Sequence, residues 1–306
     1  MELPAGPGGM SRLGADGLLL TTALLWGVTF VAQKYAAATM PALAFVAARF
    51  AVSAIALAPF ALWEFRRKPH APGRDEWRLA LAIGLTLFLG TSLQQAGIET
   101  TSATNAGFLT ACYVVLTPFV VWALSGARPR AIVLAAASVS LIGAWLLASG
   151  AAVAAPNIGD ALVLVADFAW ATGIALTPVF LARSRRPLLL AFVQYAVCAG
   201  LAALSSFVFE TTQPGSILAT APTILFSGII SGAIAYTIQI FAQRNTPPAE
   251  AALILSLESV FAALAGAVML GERLTAVGAL GCLLILAGAV VVEIGPLVGR
   301  RTARAG

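Results

Sequence analysis

Apolar stretches of about 20 residues recur along the whole chain, each closed by a short polar segment. They cover approximately 17–36, 41–63, 78–98, 103–124, 131–149, 159–181, 188–209, 218–242, 249–270 and 275–295. Each can cross roughly 30 Å of hydrocarbon as a helix, the form in which a lone segment satisfies its own backbone groups in lipid. The pattern predicts an all-α membrane protein with ten transmembrane helices. The linkers are too short to hold a soluble domain.

Polar residues inside these spans recur at a fixed distance. Asp16 stands ten residues before Trp26, and Asp160 stands ten before Trp170, an offset of 144. Further along the offset is 145, which relates Gln94 to Gln239, Asn105 to Glu250, and GARP at 126–129 to GERL at 271–274. The chain therefore reads as a segment 1–15, a five-helix repeat over 16–149, a second over 150–295 and a basic tail 296–306. Five is odd, so the second repeat is inverted relative to the first.

Charge supplies an independent test. Lys and Arg are retained on the cytoplasmic side. With the N-terminus inside, that side holds Arg12, the cluster from Arg66 to Arg78, Arg128, Arg130, the cluster from Arg183 to Arg186, Arg244 and the tail, 15 of the 18 basic residues. Arg273 falls outside, Lys34 lies near the outer end of the first span, and Arg49 is intramembrane. EFRRKPHAPGRDE after the second span is basic, whereas ETTQPGSI after the seventh has no Lys or Arg, as inversion demands. Both termini are expected in the cytoplasm. A signal peptide at the first span is disfavoured by its counterpart later in the chain.

Composition agrees with this class: 60% of residues are hydrophobic and 10% charged, against about 25% charged in soluble domains. The net charge of +5 follows from the topology and gives no reason to infer a nucleic-acid partner. Cys112, Cys198 and Cys282 lie singly in three spans and read as packing residues, without disulfide or metal-ligand spacing. GxSxG, P-loop, HExxH and CxxC motifs are all missing, and the one histidine, His70, sits in a loop. An enzyme, a metal site, a cofactor or an ATP-driven motor is therefore not expected.

LLLTTALLWGVTFVAQK, NAGFLTACYVVLTPF, TIQIFAQRNTPPAEAALILSLESVFAALAGAVMLGERL and LGCLLILAGAVVVE together resemble the EamA-type branch of the drug/metabolite transporter superfamily, over all ten spans. The most specific part is the ninth span, where the family's usual Glu-Pro is here Glu258-Ser259. The resemblance implies a transporter of metabolites, similar to the YddG-like aromatic amino-acid exporters.

Helical spacing sorts the polar positions onto faces. Trp26, Thr29 and Gln33 share one, Asn105 and Cys112 another, Tyr113 lies on its neighbour with Thr110 and Thr117, Asp167 pairs with Trp170, and Tyr236, Gln239 and Gln243 align. Such stripes are expected to face a chamber formed mainly by spans one, three, four, six, eight and nine. Trp26, Trp170, Tyr113 and Tyr236 offer flat faces to a substrate, and Gln33, Gln94, Gln239 and Asn105 offer hydrogen bonds. Glu258 and Asp167 are candidates for holding a cation or a proton, because an intramembrane carboxyl is costly unless it has a partner or a task.

Each assignment has a structural alternative. Glu258 could make a salt bridge to Arg49, Asp167 and the glutamines could be interhelical ties, and the tryptophans could be packing anchors. Gly27, Gly90, Gly107, Pro118, Pro178 and Gly232 are candidate bending points. The leading expectation is a secondary transporter exporting aromatic or other neutral amino acids and related small metabolites across the inner membrane by alternating access. Its partners are a small-molecule substrate and the lipid bilayer, with proton coupling and oligomeric state left open. Sugars, nucleotide precursors or hydrophobic cations are the alternative substrates, and a membrane-embedded enzyme or scaffold the alternative class.

Overall fold

A computed structural model describes residues 10–101, 103–149, 157–269, 271 and 273–302, with backbone alone for 103–105, 149 and 292–302. The described residues are helical almost throughout. The elements are α1 (Arg12–Thr39), α2 (Ala42–Arg67), α3 (Arg74–Thr100), α4 (Ala103–Thr110), α5 (Tyr113–Ser125), α6 (Ala131–Ser149), α7 (Ile158–Ser184), α8 (Pro187–Phe209), α9 (Pro214–Phe226), a π-helical stretch (Ser227–Tyr236), α10 (Thr237–Ala242), α11 (Pro248–Leu255), α12 (Glu258–Met269) and α13 (Ala276–Thr302). Nine of the ten expected spans are long and apolar enough to cross a bilayer, and the apolar part of the tenth covers Ala276–Val291.

Local chemistry sets the boundaries. Ser11 caps α1 by accepting from the Gly14 amide, and Asn157 caps α7 in a capping box with Asp160. Prolines open α8, α9 and α11 at positions where the missing N–H costs nothing. Gly126 ends α5 with φ of 71°, a backbone region that suits glycine.

The packing follows the expected twofold relation. The second and seventh spans pack on each other, as do the fifth and tenth; the third pairs with the sixth as the first pairs with the eighth. Small residues allow these approaches, as is usual where lipid gives no hydrophobic drive between helices. Gly84 in the third span receives Val197 of the seventh, and Gly228 in the eighth receives Val52 of the second. Gly143 lies so close to the tenth span that a Cβ there would come 2.7 Å from the Gly281 carbonyl.

The ends of the bundle carry matching ties. Thr246 donates to Asp16 at 2.8 Å, beside Glu250, which receives both Arg12 and Arg130. At the other end Thr101 donates to Asp160 at 2.7 Å, and Lys34 donates to the carbonyls of Ile98 and Thr101 at 2.8 and 2.7 Å. Thr101 and Thr246 are equivalent at 145, and Asp16 and Asp160 at 144. The start of one repeat thus lies at the opposite end of the bundle from the start of the other, which is the inversion expected from the odd number of spans.

Two features depart from regular helices. The fourth span breaks at Ala111–Cys112 and the ninth at Ser256–Leu257, positions equivalent at 145. Both breaks tighten into i to i−3 bonds, including Cys112 N to Leu109 O at 2.9 Å and Leu257 N to Ile254 O at 3.2 Å. The ninth span breaks without the family's proline: the Ser256 hydroxyl donates back to Leu253 O, and Ser259 donates across to Gly107 O, each at 2.7 Å. The second departure is the π-helical stretch. Gly84 corresponds to Gly228 at 144, yet Gln94 corresponds to Gln239 at 145. The second repeat therefore has one extra residue between these positions. A π turn absorbs one added residue while leaving both flanks in register, and it occupies that interval.

The expected bending points are revised accordingly. Gly27 and Gly90 are sites of close approach, and Pro118 and Pro178 sit inside continuous helices. The discontinuities fall beside Gly107, at 111–112 and 256–257, and at Gly232 within the π stretch.

Candidate functional site

One chamber lies where the breaks and the π stretch converge, with about 730 Å³ of atom-free space counted out to its mouth. Its wall includes Trp26, Gln33, Gln94, Tyr113, Trp170, Tyr236, Gln239 and Glu258. These residues come from spans one, three, four, six, eight and nine. The second and seventh spans also contribute, through Arg49 and Gln194, which extends the expected set of helices. The side chain of Asn105 lies outside the described residues. Asp167 is fully buried behind the wall rather than on it.

The helix breaks place the polar groups. Tyr113 and Glu258 are the first residues of α5 and α12, and they occupy equivalent positions at 145. Breaks of this kind are tolerated at membrane depth only where they are buried or line a cavity, and half-helix ends there serve polar groups. Gly27 lets the first span close on the ninth at this level, since a Cβ would lie 2.7 Å from the Glu258 carbonyl and 2.8 Å from the Ala262 amide. Glu258 is thereby fixed against the chamber. Its carboxyl faces the Tyr113 hydroxyl closely enough to interact with it, and Oε1 makes no hydrogen bond to any other group. Both carboxylate oxygens of Asp167 are unpartnered, close enough to Glu258 for the two carboxyl groups to interact. Neither acid forms an ion pair among the described residues, so the expected alternative of a salt bridge from Glu258 to Arg49 does not occur.

Three aromatic rings meet in the same wall. The Trp26 and Tyr236 rings are 4.5 Å apart, and Trp170 stacks on Tyr236 at 6.1 Å and 21°. Gly90 makes room for Trp170, whose ring would be 2.9 Å from a Cβ there. Trp26 donates its indole N–H to Ser231 O at 3.3 Å, a carbonyl inside the π stretch, while the Trp170 N–H has no partner. The two tryptophans, equivalent at 144, thus meet around one tyrosine.

The amides divide between tie and site. Gln94 donates to the Thr110 hydroxyl at 2.8 Å. Gln239 donates to Gln243 at 3.2 Å, and Gln243 donates to the Ile174 carbonyl at 3.0 Å. Gln95 donates to the Gln33 carbonyl at 3.2 Å, leaving the Gln33 side-chain oxygen unpartnered. Thr110 lines the wall as its polar stripe predicts, whereas Gln194 and Ser231 are lining residues that no stripe pointed to. Gln194 was within reach, since it is the counterpart of Arg49 at 145.

Chemically, the wall offers non-covalent contacts of several kinds. The groups facing the chamber are aromatic faces, amides, a guanidinium and a carboxyl, and no group of three or more potential metal ligands occurs among the described residues.

Comparison with known proteins agrees with that description. The model of the EamA-like transporter family matches twice, over residues 13–149 and 157–294. An uncharacterized transporter of Archaeoglobus fulgidus is 32% identical over 290 residues, covering 94% of this chain and 89% of its own. The uncharacterized transporter YwfM of Bacillus subtilis is 26% identical, covering 91% and 93%. A solved crystal structure of a protein superposes with a TM-score of 0.77 at 19% identity, over 95% of this chain and 99% of that one, and shares its fold. The two matched halves, each of five spans around a common chamber, place this chain in the EamA-like transporter family as a multi-pass integral membrane transporter.

Proposed function

We propose that the protein is a secondary transporter that exports amino acids, aromatic or other neutral ones, and related small metabolites across the inner membrane by alternating access. Both termini face the cytoplasm in this reading. The observation that carries it is the meeting of Trp26, Tyr236 and Trp170 in a chamber whose wall also holds Glu258 beside Tyr113 and the Gln33 amide, whose side-chain oxygen is unpartnered. A flat apolar substituent suits the rings, and an ammonium group suits a carboxylate and an aromatic face together.

Gating falls to the two sets of end ties. The Arg12, Glu250, Arg130 cluster with Asp16 and Thr246 closes one end, and Lys34, Thr101 and Asp160 close the other. Alternating access requires one set to open while its counterpart holds, and the equivalence of the halves makes the two closures similar in cost. Glu258 and Asp167 supply the coupling site. Two buried carboxyl groups without a cation between them are suited to exchange a proton for the ammonium group of a substrate.

The test is uptake into liposomes containing the purified protein. Labelled phenylalanine or leucine accumulating with time, and competed by other neutral amino acids, is the expected result. Uptake of sugars, nucleotide precursors or hydrophobic cations instead would replace the substrate class, and uptake of none of them would remove the reading.

A further inference from the structure

Arg49 has no part in the proposed function. Its side chain reaches the chamber from the second span yet is only 4% exposed. Its Nε has no hydrogen-bond partner, and among the described residues no carboxylate pairs with it and no protein acceptor takes a hydrogen bond from its guanidinium. The rings of Phe45 and Phe50 flank it at 5.4 and 4.9 Å. Aromatic faces attract the cation but offer no lone pairs to its five N–H donors. A guanidinium does not give up its proton in a protein, so this is a permanent buried charge lacking a counter-ion.

The two halves also differ in charge at this position. The counterpart of Arg49 is Gln194, which lines the same chamber with a neutral amide. The chamber therefore has one electropositive group in its wall, as it has one carboxyl where Glu258 is the counterpart of Tyr113. Tyr236 stands close enough to interact with both Arg49 and Glu258. Cation and acid thus form no ion pair with each other, and Tyr236 is within reach of both.

We infer that Arg49 is the seat for the carboxylate of the transported molecule, with Gln194 as a neutral donor beside it and Glu258 left to face the ammonium end. The paired N–H groups of a guanidinium match the two oxygens of a carboxylate, and a substrate so held spans the aromatic surface in one direction only. The inference rests on the proposed function for taking this chamber as the transport site. The seat itself requires only a small organic carboxylate.

The experiment uses the full-length protein in detergent and three probes that share a phenyl ring: 3-phenylpropionate, phenylalanine and phenethylamine. Thermal melting is recorded for wild type, Arg49→Gln and Arg49→Lys. The two carboxylates are expected to raise the wild-type melting temperature by several degrees, and the amine and inorganic phosphate by clearly less. Arg49→Gln should lose the preference for carboxylates, and Arg49→Lys should keep part of it. Without ligand, Arg49→Gln should melt no lower than wild type, because it removes an uncompensated buried charge. If that variant does not fold, competition against labelled phenylalanine flux in wild-type liposomes gives the same comparison, with the acid competing and the amine not. Equal protection by amine and acid, protection by phosphate equal to that by the acids, protection by none of the probes, or an unchanged preference in Arg49→Gln overturns the seat. Protection by 3-phenylpropionate through Arg49 without amino-acid flux would remove the export reading alone.

Discussion

Thr246 donates its hydroxyl hydrogen to Asp16 at 2.8 Å, across 230 positions of sequence, and the equivalent Thr101 donates to Asp160 at 2.7 Å. The two bonds are one interaction made twice, once at each end of the bundle. Each ties the start of one repeat to the segment joining the third and fourth spans of the other, so opening an end requires breaking its copy.

Breaking the larger cluster should loosen one end only. Glu250 is 2% exposed and carries both Arg12 and Arg130, so Glu250→Gln removes the carboxylate that the two guanidinium groups share. A cysteine placed at Gln243, with the native cysteines removed, should then react with a small thiol reagent several-fold faster from the Arg12 side. Its reactivity from the Lys34 side should be unchanged. Equal acceleration from both sides would mean that the cluster does not close one end.

Close helix approach at Gly27 should be intolerant of any side chain. Gly27→Ala puts a Cβ 2.7 Å from a backbone carbonyl that cannot move independently, and overpacking of this kind costs about 1–3 kcal/mol. Gly200→Ala, where nothing lies within 4 Å of the added atom, should change the melting temperature little. Thermal unfolding of the two variants side by side checks this.

The aromatic surface should be felt in apparent affinity. Trp26→Ala removes a ring 4.5 Å from Tyr236, and stacked aromatic contacts contribute roughly 0.5–1.5 kcal/mol beyond buried area. The KM for an aromatic substrate in the liposome assay is expected to rise about twofold to tenfold, with a smaller change for leucine.

Proton coupling through Glu258 has a distinct signature. Glu258→Gln keeps shape and hydrogen bonding but cannot exchange a proton. Flux driven by a pH gradient should be abolished, while exchange of labelled for unlabelled substrate at equal pH continues. Gradient-driven flux that survives the substitution would assign coupling elsewhere.

The π stretch makes a prediction about stability. Ile229 lies in it and faces outward, 41% exposed. Deleting Ile229 should convert the π turn to regular helix and leave both flanks in register, with a modest loss of melting temperature. Deleting Leu85, the residue equivalent at 144 in the regular third span, should rotate everything beyond it by about 100° and unfold the protein.

Much of this architecture was legible in the residues. The ten apolar runs, the offset of 144 and the charged loops together gave the inverted bundle, because a bilayer allows few arrangements of such segments. Eight of the ten residues singled out for the site line one chamber, since polar stripes on apolar helices have nowhere else to face. The rest depended on relations that periodicity does not carry. The break in the ninth span comes from serine hydroxyls competing for backbone carbonyls, not from a proline. The change of offset from 144 to 145 was visible, but an inserted residue can be absorbed by a loop or by a π turn, and packing against Val52 and Asp16 decided between them. Arg49 was visible as an intramembrane cation, and its unpaired state depended on where Glu258 was turned.

In the proposed function, substrate passes through the chamber lined by Trp26, Tyr236, Gln239 and Glu258. The most direct measurement places a single cysteine at Gln239 in a chain whose Cys112, Cys198 and Cys282 are replaced, and follows exchange flux as a bulky thiol reagent is added. The account predicts that flux stops in proportion to modification and that bound substrate slows the modification. Full modification with undiminished flux would contradict it.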